Sequence, residues 1–249
     1  MQPITNLLLS AARKAAKLLQ RDYFELETLQ NSKRGTNDFV KQSYLRTKST
    51  LTEELQKAKT SILFPDDQLQ LSVKENAFIL INPIDSLSNL SRGIPLFGTT
   101  ITYMRRINQL FVPFSSLVHF PVIGDTYYAE KGGGVWLDKA MYSASKISRL
   151  RVSSCNILET AIIAGDDSAF KEIVDIRGFG SICYDVSLLV SGKIDAVYYS
   201  QELDRALKYM FELMMQESGG LVLSDIKGKF VASNYDLAEK IKQHLAKNS

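Results

Sequence analysis

Asn82-Pro83-Ile84-Asp85-Ser86-Leu87-Ser88-Asn89, followed by Arg92-Gly93-Ile94-Pro95, has the residue types of a loop that handles metal and phosphate, with several working atoms replaced. The preceding Phe78-Ile79-Leu80-Ile81 is apolar and β-prone and reads as a buried strand. A carboxylate just past such a strand lies at its C-terminal edge, where open α/β sheets bind ligands. His119 and His244 are the only histidines, and Cys155 and Cys183 the only cysteines, with no Cys-x-x-Cys. A multi-His or His-Cys metal site therefore cannot be built, and a Ser-His-Asp triad has few candidates. Any metal here takes oxygen ligands, which points to Mg²⁺ or Ca²⁺. Both histidines read as structural.

The remaining composition sets the frame. The chain has 249 residues, 45% of them hydrophobic, enough for one large core or two small ones. We read 1–249 as one domain with sub-halves 1–150 and 151–249. Net charge is +3 and pI about 8.7. That balance argues against nucleic acid as the partner but does not oppose an anionic ligand. Lys33, Arg34, Lys41, Arg46 and Lys48 make the N-terminal region mildly basic, and Arg105-Arg106 form a basic pair. Solvated charge is the plain reading of both. Residues 1–20 lack a signal-peptide pattern, and the longest uncharged run, 107–124, carries Pro113, Pro121 and His119, so it is not a membrane span. The two cysteines fit a reducing compartment, and the expectation is a cytoplasmic protein.

The elements that must position the loop follow from periodicity. Ile4, Leu7, Leu8, Ala11, Ala12, Ala15, Leu18 and Leu19 predict an amphipathic helix over 4–29. Residues 33–37 read as a turn and 39–58 as a second helix. Strands are expected at 76–82, 97–103, 109–113, 127–129 and 135–137, with Gly132-Gly133-Gly134 between the last two. A second unit starts near Arg151, with strands at 161–164 and 196–199 and a helix at 184–190. A long helix over 205–217 stops at Gly219-Gly220. A hairpin over 221–223 and 230–232 turns at Lys227-Gly228, and a last helix covers 235–246. Mixed strands and helices without strict βα alternation predict layered α+β packing. No Lys-Ser/Thr follows the triple glycine, so it is not a nucleotide phosphate loop. Gly178-Phe179-Gly180 is too short for a dinucleotide fingerprint.

The loop around Asp85 resembles the signature of the inositol monophosphatase family, Asp-Pro-Ile/Leu-Asp-Gly-Thr-Thr-Asn followed by Gly-x-Pro. Further resemblances cover nearly the whole chain and are closest to bacterial members. Asn37-Asp38-Phe39-Val40 resembles the family's approach to its second helix. The segment 127–137 resembles its Tyr-x-Ala-x-x-Gly-x-Gly-Ala-x-Leu-Asn hairpin. The stretch 177–195, with Gly180-Ser181, Asp185, Gly192 and Asp195, resembles its Arg-x-x-Gly-Ser-Ala-Ala region. Glu217-Ser218-Gly219-Gly220 resembles its Glu-Ala-Gly-Gly. The interval between Gly165 and Arg177 is shorter than the family's, and a peripheral helix is expected to be missing there. The resemblance implies an αβαβα sandwich, a homodimer, Mg²⁺ as cofactor and an inositol or sugar phosphate as substrate.

Carried over residue by residue, the family's ligand set is incomplete. Its first loop aspartate falls on Asn82, a neutral and weak ligand, while its second is kept as Asp85 and the carbonyl between them is that of Ile84. Its Glu-Glu pair falls on Pro65 and Asp66, or on Asp66 and Asp67 with a shift of one residue. Its Trp-Asp pair falls on Ala206-Leu207, and Asp204 fills the role only with a slip of about three residues; an N-cap for the following helix is the plainer role for Asp204. A Thr-x-x-Asp pair falls on Lys41 to Tyr44, losing both side chains. The Gly-Thr of the phosphate cradle becomes Ser86 and Leu87, with Ser88 and Asn89 keeping the polar end, where helix capping is as good a reading as phosphate contact. Phosphomonoester hydrolysis needs cations that neutralise charge and clamp both attacking and leaving oxygens. One secure carboxylate does not assemble that, so the first expectation is a pseudophosphatase kept for binding or assembly, with Mg²⁺ as its cofactor if it has one at all. Its alternative is a weakened or repurposed Mg²⁺ phosphomonoesterase using Asp66, Asp67, Asp85 and Asp204 within about 4–6 Å of one another. A third reading is a regulatory module that binds protein or RNA.

Overall fold

The computed structural model describes residues 1–29, 33–68, 75–139, 146–166, 170, 175–224 and 230–247. The first half runs α1 (Pro3–Leu29), α2 (Lys33–Leu55), β1 (Ser61–Leu63), β2 (Ala77–Asp85), α3 (Leu87–Ser91), β3 (Gly98–Ile107), β4 (Leu110–His119), β5 (Asp125–Glu130), β6 (Gly134–Lys139) and β7 (Lys146–Leu150). The second half runs β8 (Ile162–Gly165), β9 (Asp175–Arg177), α4 (Ile182–Val190), β10 (Ala196–Tyr199), α5 (Arg205–Ser218), β11 (Leu221–Ser224), β12 (Phe230–Ser233) and α6 (Tyr235–Lys247).

Five layers result. Strands β1 to β7 lie in sequence order in one sheet, antiparallel except for the parallel β1–β2 pair. The second sheet has the order β11-β12-β10-β8-β9. The apolar stripe of α1 (Leu8, Ala11, Ala12, Ala15) and Leu51 and Leu55 of α2 pack on Ile79, Ile81, Ile101 and Leu117. On the other face of β2, Phe78 and Leu80 meet Ala206 and Tyr209 of α5. Both faces of β2 are covered, so its run is apolar throughout rather than alternating with polar residues. Between the sheets, Val186 and Leu189 of α4 and Met210, Phe211 and Met214 of α5 join Val118, Tyr127 and Val135 to Val197, Phe230 and Ala232. Leu237 and Ile241 of α6 cover Ile163, Ala196 and Val231 on the outer side. This is the layered αβαβα arrangement expected above.

Several expectations need correction. Residues 33–37 are not a turn: α2 already begins at Lys33. The first turn of a helix leaves its N–H groups without internal acceptors, so Gly35 sits there at little cost. Strand β4 does not stop at 113 but continues to His119, and Pro113 stands beside a register shift, where a missing N–H is tolerated. Three short strands, β1, β7 and β9, have no counterpart in the expected elements. Each is five residues or fewer, too short for periodicity to speak. Strands β11 and β12 pair antiparallel as expected, while Lys227 and Gly228 lie outside the described residues. So does most of the interval between Gly165 and Arg177 where a missing helix was expected.

The triple glycine is a structural turn. The Glu217 carboxylate at the end of α5 accepts from the N–H groups of Gly132 (2.7 Å) and Gly134 (2.9 Å). Gly134 has φ +83, and a Cβ there would lie 2.8 Å from Nε of Arg149. Glu217→Ala leaves both N–H groups without their acceptor. It is expected to cost about 1–3 kcal/mol in denaturant unfolding, with the native circular dichroism retained.

A candidate metal and phosphate site

Strand β2 delivers the loop to the sheet edge. Its pairing with β3 shifts register between Asn82 and Asp85, and the Pro83 carbonyl, freed from the ladder, accepts from the Thr99 hydroxyl at 2.8 Å. Such a bulge re-aims side chains. Asp85 is turned across to the second half: its Oδ2 accepts from the Ser181 hydroxyl (2.6 Å) and the Cys183 N–H (2.9 Å) at the start of α4. A carboxylate there compensates the helix dipole and satisfies an open donor. Burial raises the Asp85 pKa, these hydrogen bonds oppose the rise, and the charge of Asp204 adds to it. Asn82 is buried on the same strand, and the Ile84 side chain is buried among Leu19, Tyr23, Leu90 and Phe97.

Ser86 adopts φ 62, ψ 64, the left-handed conformation that glycine takes without cost. It also caps α3, its hydroxyl accepting from the Asn89 N–H at 3.4 Å and lying 3.3 Å from the Ser88 hydroxyl. Leu87 and Ser88 face solvent. Asn89 is a structural bridge. Its Nδ2 donates to the Leu96 (2.7 Å) and Phe179 (3.0 Å) carbonyls, tying the loop to the segment before α4. Ser86→Gly removes the conformational strain, worth about 1 kcal/mol, and loses only a few tenths of capping energy. The expected outcome is a small net gain in unfolding free energy, of about 0.5 kcal/mol.

Asp204 is the N-cap of α5, accepting from Ala206 N–H (2.8 Å) and Leu207 N–H (3.1 Å). Its pKa is raised by burial first and by the charge of Asp66 in addition. Asp67 closes its own turn, accepting from the Phe64 N–H at 2.9 Å while its N–H donates to the Phe64 carbonyl. Asp66 faces solvent. The Tyr44 phenol, at the position where the resemblance expected an aspartate, is raised by burial and then by Asp66, Asp67 and Asp204. These groups therefore feel one another's charge, and Asp204 connects them to Asp85. They do not converge tightly: among the described residues, no three of the His, Cys, Asp or Glu side chains are close enough to hold a metal ion.

The sequence reading missed a buried acid within reach of the Asp85 charge. Asp185, in the first turn of α4, accepts from the Tyr199 hydroxyl through Oδ2, while Oδ1 is buried without a hydrogen-bond partner. Burial, with a smaller contribution from Asp85, pushes its pKa up to about 7, against the pull of the Tyr199 hydrogen bond. The visible signal was an acidic residue four positions after Ser181 in an otherwise apolar helix start. Cys183 is also buried, beside the Thr100 hydroxyl, and burial with the Asp85 charge holds its thiol far above the ordinary value, so it is no nucleophile. His119 bonds Thr126 through Nδ1 at 2.7 Å, and burial brings its pKa down to about 4; it is a neutral core residue. His244 stacks on Phe170, with centroids 5.3 Å apart.

The αβαβα fold, with an aspartate loop at the edge of its larger sheet, defines a class. The chain belongs to the inositol monophosphatase family, whose model matches residues 1–241. It is similar to an inositol-1-monophosphatase of Caulobacter vibrioides, at 31% identity over 96% of this chain and 99% of that protein. The Nus factor SuhB of Escherichia coli is 25% identical over 97% of this chain and 91% of its own length. The solved extragenic suppressor protein suhB from Bartonella henselae superposes with TM-score 0.80 at 23% identity, covering 98% of this chain and all of that one. An inositol monophosphatase from Anabaena superposes with TM-score 0.76 at 16% identity over 98% and 95% of the two chains. Members of the family are generally Mg²⁺-dependent. Among the described residues no helix is long and apolar enough to cross a membrane.

Proposed function

We propose that this chain is a pseudophosphatase, an inositol-monophosphatase-family scaffold with little or no hydrolytic activity that acts by binding. One observation carries the reading: three of the four candidate carboxylates, all but solvent-facing Asp66, are spent on structure. Asp85 holds the start of α4, Asp204 caps α5 and Asp67 closes a turn, and no three ligand groups among the described residues gather around one point. Asn82 is neutral where a charged ligand is needed, and Tyr44 brings a phenol that stays protonated at neutral pH. Losing one transition-state stabiliser costs about 10²–10³ in rate, and the losses here are several. The protein is proposed to work in the cytoplasm as a homodimer, without a bound metal, and to fold as one unit. The core shared by the two sheets supports that last point. The test is phosphate release from inositol and sugar phosphates across a Mg²⁺ titration. Rates indistinguishable from the protein-free control are expected. Mg²⁺-dependent turnover abolished by Asp85→Asn would overturn the reading.

A second reading has its own support. Asp66 raises Asp204, and Asp204 raises Asp85, so the three share one negative field. A cation in that field would relieve the repulsion. In this reading Asp66, Asp67, Asp85, Asp204 and the Ile84 carbonyl hold Mg²⁺, Asn82 adds a weak contact, and the Ser86 and Leu87 backbone with Ser88 hold the phosphate. It requires these side chains to move closer to one another than they stand here.

A further inference from the structure

The β3–β4 hairpin projects past the sheet. Strand β2 reaches only to Ala77 opposite Arg105, and β5 only to Glu130 opposite Ser115, so the tip beyond them is a two-stranded ribbon. Asn108 and Gln109 at the turn have φ 49 and 68, the pattern of a tight two-residue hairpin that holds the ribbon rigid. Its tip is apolar and open, with Leu110 69% and Ile107 36% exposed. Each adjacent arginine lies over a phenylalanine. Cζ of Arg106 is 4.6 Å from the centre of the Phe111 ring, and Cζ of Arg105 is 5.1 Å from that of Phe114. Neither arginine has a carboxylate partner among the described residues, and Nε of Arg106 is buried without a hydrogen-bond partner.

Stacking fixes a guanidinium plane while leaving its edge N–H groups free for a carboxylate fork. A fixed arginine also gives up less side-chain entropy on binding than a free one. Successive strand residues alternate faces, so Arg105 stands on the same face as exposed Ile107 and Leu110, with Arg106 on the opposite face beside Phe111. Arg105, Ile107 and Leu110 together make a cationic and apolar anchor, the residue mixture that concentrates binding energy in protein interfaces. We propose that this ribbon is a docking element for an acidic segment of another protein, one in which Asp or Glu alternates with Leu, Ile or Phe. Charge complementarity selects that occupant. A nucleic-acid strand would need a longer basic track than two arginines, and it would leave the apolar tip in water. The proposal rests on the binding reading above, yet it stands or falls separately, because a hydrolytically active protein can carry the same ribbon.

The test is selection of random 12-residue peptides on the full-length protein, with counter-selection on Arg105→Glu/Leu110→Ser. Both substituted side chains face solvent, and unchanged thermal unfolding of the variant verifies its fold. Enriched peptides should carry an Asp/Glu and Leu/Phe excess. Their affinity should fall tenfold or more in the variant and weaken as salt rises from about 50 to about 300 mM. The proposal is overturned by peptides without acidic excess, by peptides retained by the variant, or by tighter binding of single-stranded oligouridylate than of the best peptide at this ribbon. Self-association that disappears in Arg105→Glu/Leu110→Ser would give the ribbon to a second copy of the chain and overturn it too.

Discussion

Asp185→Asn is expected to stabilise the protein at pH 8 by about 2–4 kcal/mol, and the gain should vanish near pH 4. In the folded state the Asp185 carboxyl holds its proton up to about pH 7, whereas the unfolded chain releases it near 3.8. Between those values the native state binds more protons than the unfolded state, so stability falls as pH rises. Asparagine is neutral throughout and its amide oxygen can still accept from Tyr199. The substitution therefore removes the cost of charging a buried group beside Asp85. His119 works with the opposite sign over nearly the same range. Its imidazole protonates near 6.5 when unfolded but only near 4 when folded, so its contribution, at most about 3 kcal/mol, is lost as pH falls through that window. From these two groups the wild-type profile is nearly level between about pH 4 and 6.5. In Asp185→Asn the His119 slope is uncovered, and stability should climb steeply across the same interval. Denaturant unfolding of both proteins at pH 4.5, 6 and 8 checks this. A flat difference between them would refute the assignment.

The second expectation concerns Asp85. Its carboxylate joins the bulge at the end of β2 to the start of α4, across 96 residues of chain. Asp85→Ala leaves the buried Ser181 hydroxyl and the Cys183 N–H without their acceptor and should cost about 2–4 kcal/mol. Asp85→Asn keeps an acceptor oxygen in place and should cost less than about 1 kcal/mol, because a neutral acceptor still satisfies both donors. A metal ligand behaves differently: the amide and alanine variants would lose a bound cation alike, and Mg²⁺ would raise the thermal midpoint of the wild type alone. The pair of variants therefore separates a structural aspartate from a ligand. Equal destabilisation of both would count against the capping role.

Much of this molecule was legible where a residue acts on its own neighbours. The apolar stripe of α1, the run in β2, the Asp204 cap and the Gly219 stop of α5 are local signals, and each stands where its residues required. The short strands β1, β7 and β9 exist because longer strands beside them supply partners, which no window of three to five residues can report. The start of α2 was hidden by two turn formers, Gly35 in its first turn and Asn37 just after it. In the site, the strain at Ser86 followed from its type at a glycine position. The engagement of Asp85 with Ser181, and of Asp185 with Tyr199, depends on α4 lying against the end of β2, a tertiary fact. Hence the sequence could name the carboxylates but not say that Asp85 and Asp185 were already engaged.

Calorimetric titration of the full chain with Mg²⁺, with and without inositol phosphate, decides whether these carboxylates bind a cation. No saturable heat is predicted up to millimolar Mg²⁺, and no change on adding the phosphate. Saturable binding that disappears in Asp85→Asn would contradict it, and would mean that Asp66, Asp85 and Asp204 close around a cation after all.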